Sequence, residues 1–170
     1  MKKTIFIFIL ISITIFSKSN HEKYIIKDFD ISKYLGTWFE IVRKDNIFEK
    51  NLDFVTATYS LKPDGDIEVL NKGFNINKNK ETQITGKAKK KYNDIQNILQ
   101  VSFFGPFYSD YIIVDYDREN YSWALVFGKN SDYMWILSRK PQLDEETRNL
   151  ILSKANSLGI ELTNLVYVKQ

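Results

Sequence analysis

Glu40, Asn71, Tyr111 and Tyr133 are the polar side chains that keep step with apolar neighbours at period two, so they point to the side that water does not reach. An acid, an amide and two phenols offer hydrogen bonds and one charge. That is enough to hold the polar end of a guest molecule, and the same groups could instead be satisfied by one another or by trapped water. The residues for most reactions are missing. None of the 170 residues is cysteine, which removes thiolate nucleophiles, disulfides, Cys-ligated zinc and iron–sulfur clusters. The one histidine, His21, falls in the N-terminal tail, so a Ser-His-Asp triad, a histidine-rich metal site or an axial haem ligand has nothing to use within the domain. Glu40 is the only acid placed well inside, which leaves carboxylate-pair chemistry without its second member. No catalytic residue, metal or cofactor is expected.

The elements that would position these residues belong to one domain. With 44% apolar, 15% aromatic and 26% charged residues, the chain can bury a core, and disorder is excluded. Its first twenty residues are laid out as an export signal: Lys2 and Lys3, an apolar run at 5–16 interrupted only by Ser12 and Thr14, then Ser17 and Ser19 ahead of Asn20. The run is 12 residues long, short of the ~20 that a spanning helix needs. The division is thus a signal segment at 1–19 and a domain at 20–170, a retained anchor being the alternative. Removing Lys2, Lys3 and Lys18 from the 24 Lys and Arg leaves 21, against 21 Asp and Glu. A neutral mature chain gives no overall electrostatic reason to bind nucleic acid or an anionic membrane.

Past residue 23, short β-rich runs recur every ten to twelve residues, at 38–43, 54–61, 67–72, 84–90, 98–104, 111–116, 121–127 and 133–138. Turn chemistry separates them: Pro63-Asp64-Gly65, a polar loop at 75–79, Gly105-Pro106 and the stretch 128–132. A helix is predicted from about Asp144 to Gly159, with Thr147, Leu150, Ile151, Ala155 and Leu158 on the face toward the sheet, and a last strand at 165–168. Eight antiparallel strands with one helix are best satisfied by closure, since a closed barrel has no edges. The expected fold is all-β: an eight-stranded up-and-down barrel with a C-terminal helix packed outside.

Period two assigns Trp38, Glu40, Val42, Ala57, Tyr59, Val69, Asn71, Leu99, Val101, Phe103, Tyr111, Ile113, Ala124, Val126, Tyr133, Trp135 and Leu137 to the interior. Small residues among wide aromatics argue for a cavity that holds one small ligand rather than a filled core. Odd strands run away from the Trp38 end and even strands return, which puts Tyr111 and Tyr133 near the far mouth.

YLGTWFEI at 34–41, VTATYSL at 55–61, VLNKGFN at 69–75, VSFFGPFYSDYIIVDYD at 101–117 and WILSRKP at 135–141 together resemble the lipocalin family, in its bacterial branch related to apolipoprotein D. The resemblance implies a G-x-W of Gly36 and Trp38 at the closed end of the barrel and a second signature at Asp115 to Asp117. It implies a third at Arg139 and Pro141, with Arg139 stacked on Trp38. It also implies a long apolar ligand such as a fatty acid, lysophospholipid or related membrane lipid, stored or transported for envelope maintenance. The acyl chain would lie along Val42, Ala57, Val69, Val101, Phe103, Ile113, Val126 and Trp135. Asn71, Tyr111 and Tyr133 would meet its head group, Glu40 and Tyr59 complete the thirteen ligand-binding residues, and Arg43 and Lys44 would supply positive charge. Many bacterial members carry a lipid-bearing cysteine; this chain has none, so an exported periplasmic or secreted protein, not anchored through cysteine, is expected, with outer-membrane association open.

Lys87, Lys89, Lys90 and Lys91 are a dense charge run that suggests peripheral membrane contact or, more simply, a solvated strand. A monomer or a homodimer is compatible with the family. Two other functional readings stand beside the carrier: a protein-interaction module with a filled barrel, and an enzyme acting on a bound lipid.

Overall fold

The computed structural model describes residues 21–128 and 133–170. The expected signal segment at 1–19 lies outside the described residues, as does most of the turn at 128–132. A short helical turn (Glu22–Tyr24) and helix α1 (Ile31–Tyr34) precede strands β1 (Gly36–Lys44), β2 (Leu52–Leu61), β3 (Ile67–Asn75), β4 (Lys80–Tyr92), β5 (Ile95–Phe104), β6 (Phe107–Tyr116), β7 (Trp123–Phe127) and β8 (Met134–Ser138). Helix α2 (Glu145–Ser157) and strand β9 (Leu165–Tyr167) complete the order. Each strand from β2 to β8 pairs antiparallel with the next, β8 pairs with β1, and β1 pairs with β2, so eight strands close into the expected barrel with the helix outside. β9 lies against the mouth half of β1.

Six strands, β1 to β6, run beyond their apolar pattern, β4 and β6 furthest. β4 begins at Lys80, where exposed residues without alternation still complete the ladder to β3, and β6 begins at Phe107. The extra residues of β6 leave Tyr111 in mid-strand rather than at the mouth. Tyr121, expected in a strand, adopts φ 52 in the turn before β7.

A bulge in β1 overturns one expectation about the interior. Glu40 pairs with Leu137 and Val42 with Ile136, so β1 spends two residues where β8 spends one, and the alternation inverts. Val42, expected inside the barrel, therefore packs outside with Ile41, Met134 and Ile136 beneath α2. Arg43 turns to the side of Glu40 instead and donates to its carboxylate at 2.8 Å.

Helix α2 is capped by Asp144, whose carboxylate accepts from the Thr147 amide at 2.8 Å, and the chain turns away at Gly159 with φ +89. Ile151, Leu152 and Ala155 face the barrel wall. Leu150, expected on that face, is exposed, because the buried stripe runs through 151, 152 and 155.

The meander brings the turns after β2, β4 and β6 to one end, where Arg139 closes the barrel. Its guanidinium lies 3.8 Å from the Trp38 ring centroid. It donates to the carbonyls of Lys33 (2.9 Å), Leu35 (2.8 Å) and Thr37 (2.9 Å), with longer bonds to those of Tyr34 and Tyr121. Gly36 sits at φ +94, and a Cβ there would stand 3.3 Å from the guanidinium. The Trp38 indole donates to the Tyr34 carbonyl at 2.8 Å. Asp117 accepts from the amides of Glu119 and Asn120 and from the Ser122 hydroxyl, Asp115 meets Arg118 at 3.1 Å, and Pro141 follows β8 at the surface.

Replacing Arg139 by alanine removes the cation from the indole and strands these carbonyls. Chemical denaturation should show a loss of about 2 to 4 kcal/mol, with fatty-acid uptake by the folded protein unchanged. Lost uptake at unchanged stability would contradict a purely structural role.

Candidate functional site

The mouth half of the barrel encloses a cavity of about 760 Å³, within the range of small-molecule sites. Ten of the thirteen residues expected to meet a ligand line it: Glu40, Ala57, Tyr59, Val69, Asn71, Val101, Phe103, Tyr111, Tyr133 and Trp135. Val42 is outside the barrel, as described. Ile113 and Val126 point inward but lie nearer the closed end, in a packed core with Ala124, Tyr116 and Phe29, and do not line the cavity.

A layer of tyrosines separates that core from the cavity. The Tyr111 hydroxyl is 2.6 Å from that of Tyr59 and 2.7 Å from that of Tyr34, whose ring lies 4.8 Å from Trp38. Burial pushes all three phenols above their ordinary pKa of 10. The layer therefore stays neutral, and Tyr111, expected to hold a head group at the mouth, spends its hydroxyl on two neighbours.

Above the layer the walls are apolar and the room comes from small residues. Ala57 and Val69 stand on neighbouring strands of the wall, and Gly86 leaves room for the Phe103 ring against β4. A Cβ at Gly86 would fall 2.6 Å from Phe103 Cδ1 and 2.7 Å from the Ser102 carbonyl. Tyr133 and Trp135 stack on each other at 6.0 Å and 22°. The Asn71 Oδ1 atom is buried without a protein hydrogen-bond partner.

A polar corner stands at the β1 side of the mouth. Arg43, expected to offer charge to a ligand, is consumed by Glu40 and by the carbonyls of Glu49 (2.9 Å) and Leu52 (3.2 Å). Glu49 accepts from the Trp135 indole at 3.0 Å and from the Asn46 amide at 2.6 Å, while Asn46 caps the amides of Phe48 and Glu49. Burial, then the neighbouring Glu49 charge, pushes the Glu40 carboxyl well above its usual range, against the pull of Arg43. Glu49 and Asn46 have no strand periodicity to betray them; only the Asn at the start of a turn hinted at the cap.

The lysine run stands together on the closed-end half of β4. Lys91 pairs with Asp110 at 2.7 Å, Lys89 covers the Tyr108 ring at 4.4 Å, and Lys87 and Lys90 are exposed. His21 is not in a loose tail: it is buried on the outer wall, 3.1 Å from Asp110 and 3.0 Å from the Tyr92 hydroxyl.

Comparison with known proteins agrees with this architecture. The lipocalin-like domain family model matches residues 29–170. The chain is 47% identical over 146 residues to "Outer membrane lipoprotein Blc" of Citrobacter freundii, covering 86% of this chain and 82% of that one. It is 35% identical over 153 residues to mouse apolipoprotein D, covering 85% and 78%. Among solved structures, a cockroach allergen, Per a 4, superposes with TM-score 0.67 at 20% identity over 85% of this chain and 90% of its own.

Tyrosine ionisation tests the layer. A phenol whose folded pKa is raised contributes stability that is intact below the ordinary value of 10 and is lost as pH climbs above it. Ultraviolet titration of the native protein should leave Tyr34, Tyr59 and Tyr111, three of the ten tyrosines, silent until the protein unfolds in alkali. Tyr111→Phe, which unpairs two hydroxyls, should cost about 1 to 3 kcal/mol in denaturant melts. Ionisation of all ten before unfolding would show that the layer is open to water.

Proposed function

The chain belongs to the lipocalin family, and from that premise we propose that it is an exported carrier that stores or transports a membrane-derived acyl lipid, a fatty acid or lysophospholipid, for the cell envelope. The observation that carries this reading is the cavity of about 760 Å³ with apolar walls that ends on a neutral tyrosine floor. An acyl chain lies along Ala57, Val69, Val101, Phe103 and Trp135, each methylene removed from water contributing about 0.8 kcal/mol. The side chains of Asn71 and Tyr133, which line the same space, meet the polar end. Arg43 and Glu40 bond to each other and support the wall instead of the guest.

The relatives named outer membrane lipoproteins support work at the envelope. A thioether-linked lipid needs a cysteine, and none of the 170 residues is one.

Native mass spectrometry of protein exported by its own host, followed by organic extraction, should reveal one acyl lipid per chain. Ala57→Trp should fill the cavity and weaken uptake of added oleate by at least about tenfold, the equivalent of two lost methylenes, while the protein stays folded. An empty barrel that also refuses oleate and oleoyl lysophosphatidylethanolamine would replace the carrier by a protein-interaction module.

A further inference from the structure

The turns after β1, β3 and β5 meet at the mouth, and they carry large apolar side chains in the open. Ile47 is 81% and Phe48 68% exposed, Ile76 is 52% exposed, and Phe104 and Phe107 are 66% and 78% exposed. Phe48, Phe104 and Phe107 also border the cavity, so its apolar lining continues over the rim onto the outer surface. A contiguous apolar surface of this kind, edged by polar residues, marks a surface that something covers. Lys50, Lys78 and Lys80 are exposed on the same turns or at their edges, against Asp45 and Glu81; Glu49 is turned inward to Trp135. Aromatic and aliphatic side chains interleaved with lysines are the composition that enters a lipid headgroup layer.

We propose that the rim of the mouth docks on an anionic phospholipid bilayer, with Ile47, Phe48, Ile76, Phe104 and Phe107 entering the headgroup region. Docking places the cavity opening against the bilayer, so lipid passes between the two without crossing water. That passage rests on the carrier reading; the docking itself stands on the rim. The lysine run on β4 takes no part, since it faces sideways from the wall.

The absence of cysteine makes site-specific labelling direct. The exported protein with Ile76→Cys, or with Leu150→Cys on the exposed face of α2, takes one environment-sensitive fluorophore. With vesicles of phosphatidylethanolamine and phosphatidylglycerol, the label at 76 should shift to the blue and become shielded from an aqueous quencher, while the label at 150 does not. Combining Ile47→Asp with Ile76→Asp, two exposed positions that do not line the cavity, should weaken vesicle binding at least about tenfold and leave oleate uptake from solution unchanged. A shift at neither label, or equal shifts at both, would overturn the docking face. A shift at 76 that grows with protein concentration and needs no vesicles would overturn it in favour of a second copy of this chain. Vesicle binding through the rim by a protein that refuses oleate would sink the carrier reading and leave the docking intact.

Discussion

The closed end depends on one cation. Helix α1 is a single turn, so its last carbonyls have no acceptor role left within the helix, and it would fray without another donor. Arg139 supplies that donor to Lys33, Tyr34 and Leu35, reaches Thr37 on the entry to β1 and Tyr121 in the turn before β7, and covers the Trp38 indole with the same planar group. A guanidinium is suited to this because its donors lie in one plane while its faces remain apolar enough to stack. Trp38 is then fixed against Tyr34, and Tyr34 hands the constraint to Tyr111 and Tyr59 through hydroxyl contacts. The floor of the cavity is thus held in place from outside the barrel.

This arrangement divides the interior into two storeys with opposite physics. Below the tyrosines, Phe29, Ile113, Tyr116, Ala124 and Val126 pack solidly. Above them, Ala57 and Val69 withdraw bulk, Gly86 leaves room for the Phe103 ring, and the walls face one another across open space. A second apolar layer, where Ile151, Leu152 and Ala155 of α2 cover Ile41, Val42, Leu125 and Ile136, lies outside the barrel. Burial that a filled barrel would obtain inside is obtained partly outside, which lets the mouth half stay hollow.

Strand count, closure, the external helix and the Arg139 to Trp38 contact were legible in the sequence, because each rests on local periodicity or on a spaced motif. The departures came from features with no local signature. A bulge is a one-residue mismatch between partners distant in sequence, so the inversion that sends Val42 out and Arg43 in cannot be read from β1 alone. Tyr111 was placed at the wrong height because the first residues of β6 are exposed and lack alternation, though they still pair with β5. Leu150 was misplaced by a helix stripe that has two solutions at spacings of three and four. The ties of His21 to Asp110 and Tyr92 join residues about seventy to ninety positions apart, beyond the reach of any pattern.

A floor whose hydroxyls are already spent on one another has no incentive to part for a guest, which makes the barrel a length gauge. For a straight chain entering from the mouth, affinity should climb by about 0.8 kcal/mol for each methylene accommodated above the tyrosines. Carbons beyond that depth must bend back or remain in the opening, where they gain little. Logarithmic affinity plotted against chain length then becomes a rising line with a break, and the position of the break measures the depth of the barrel in units of carbon.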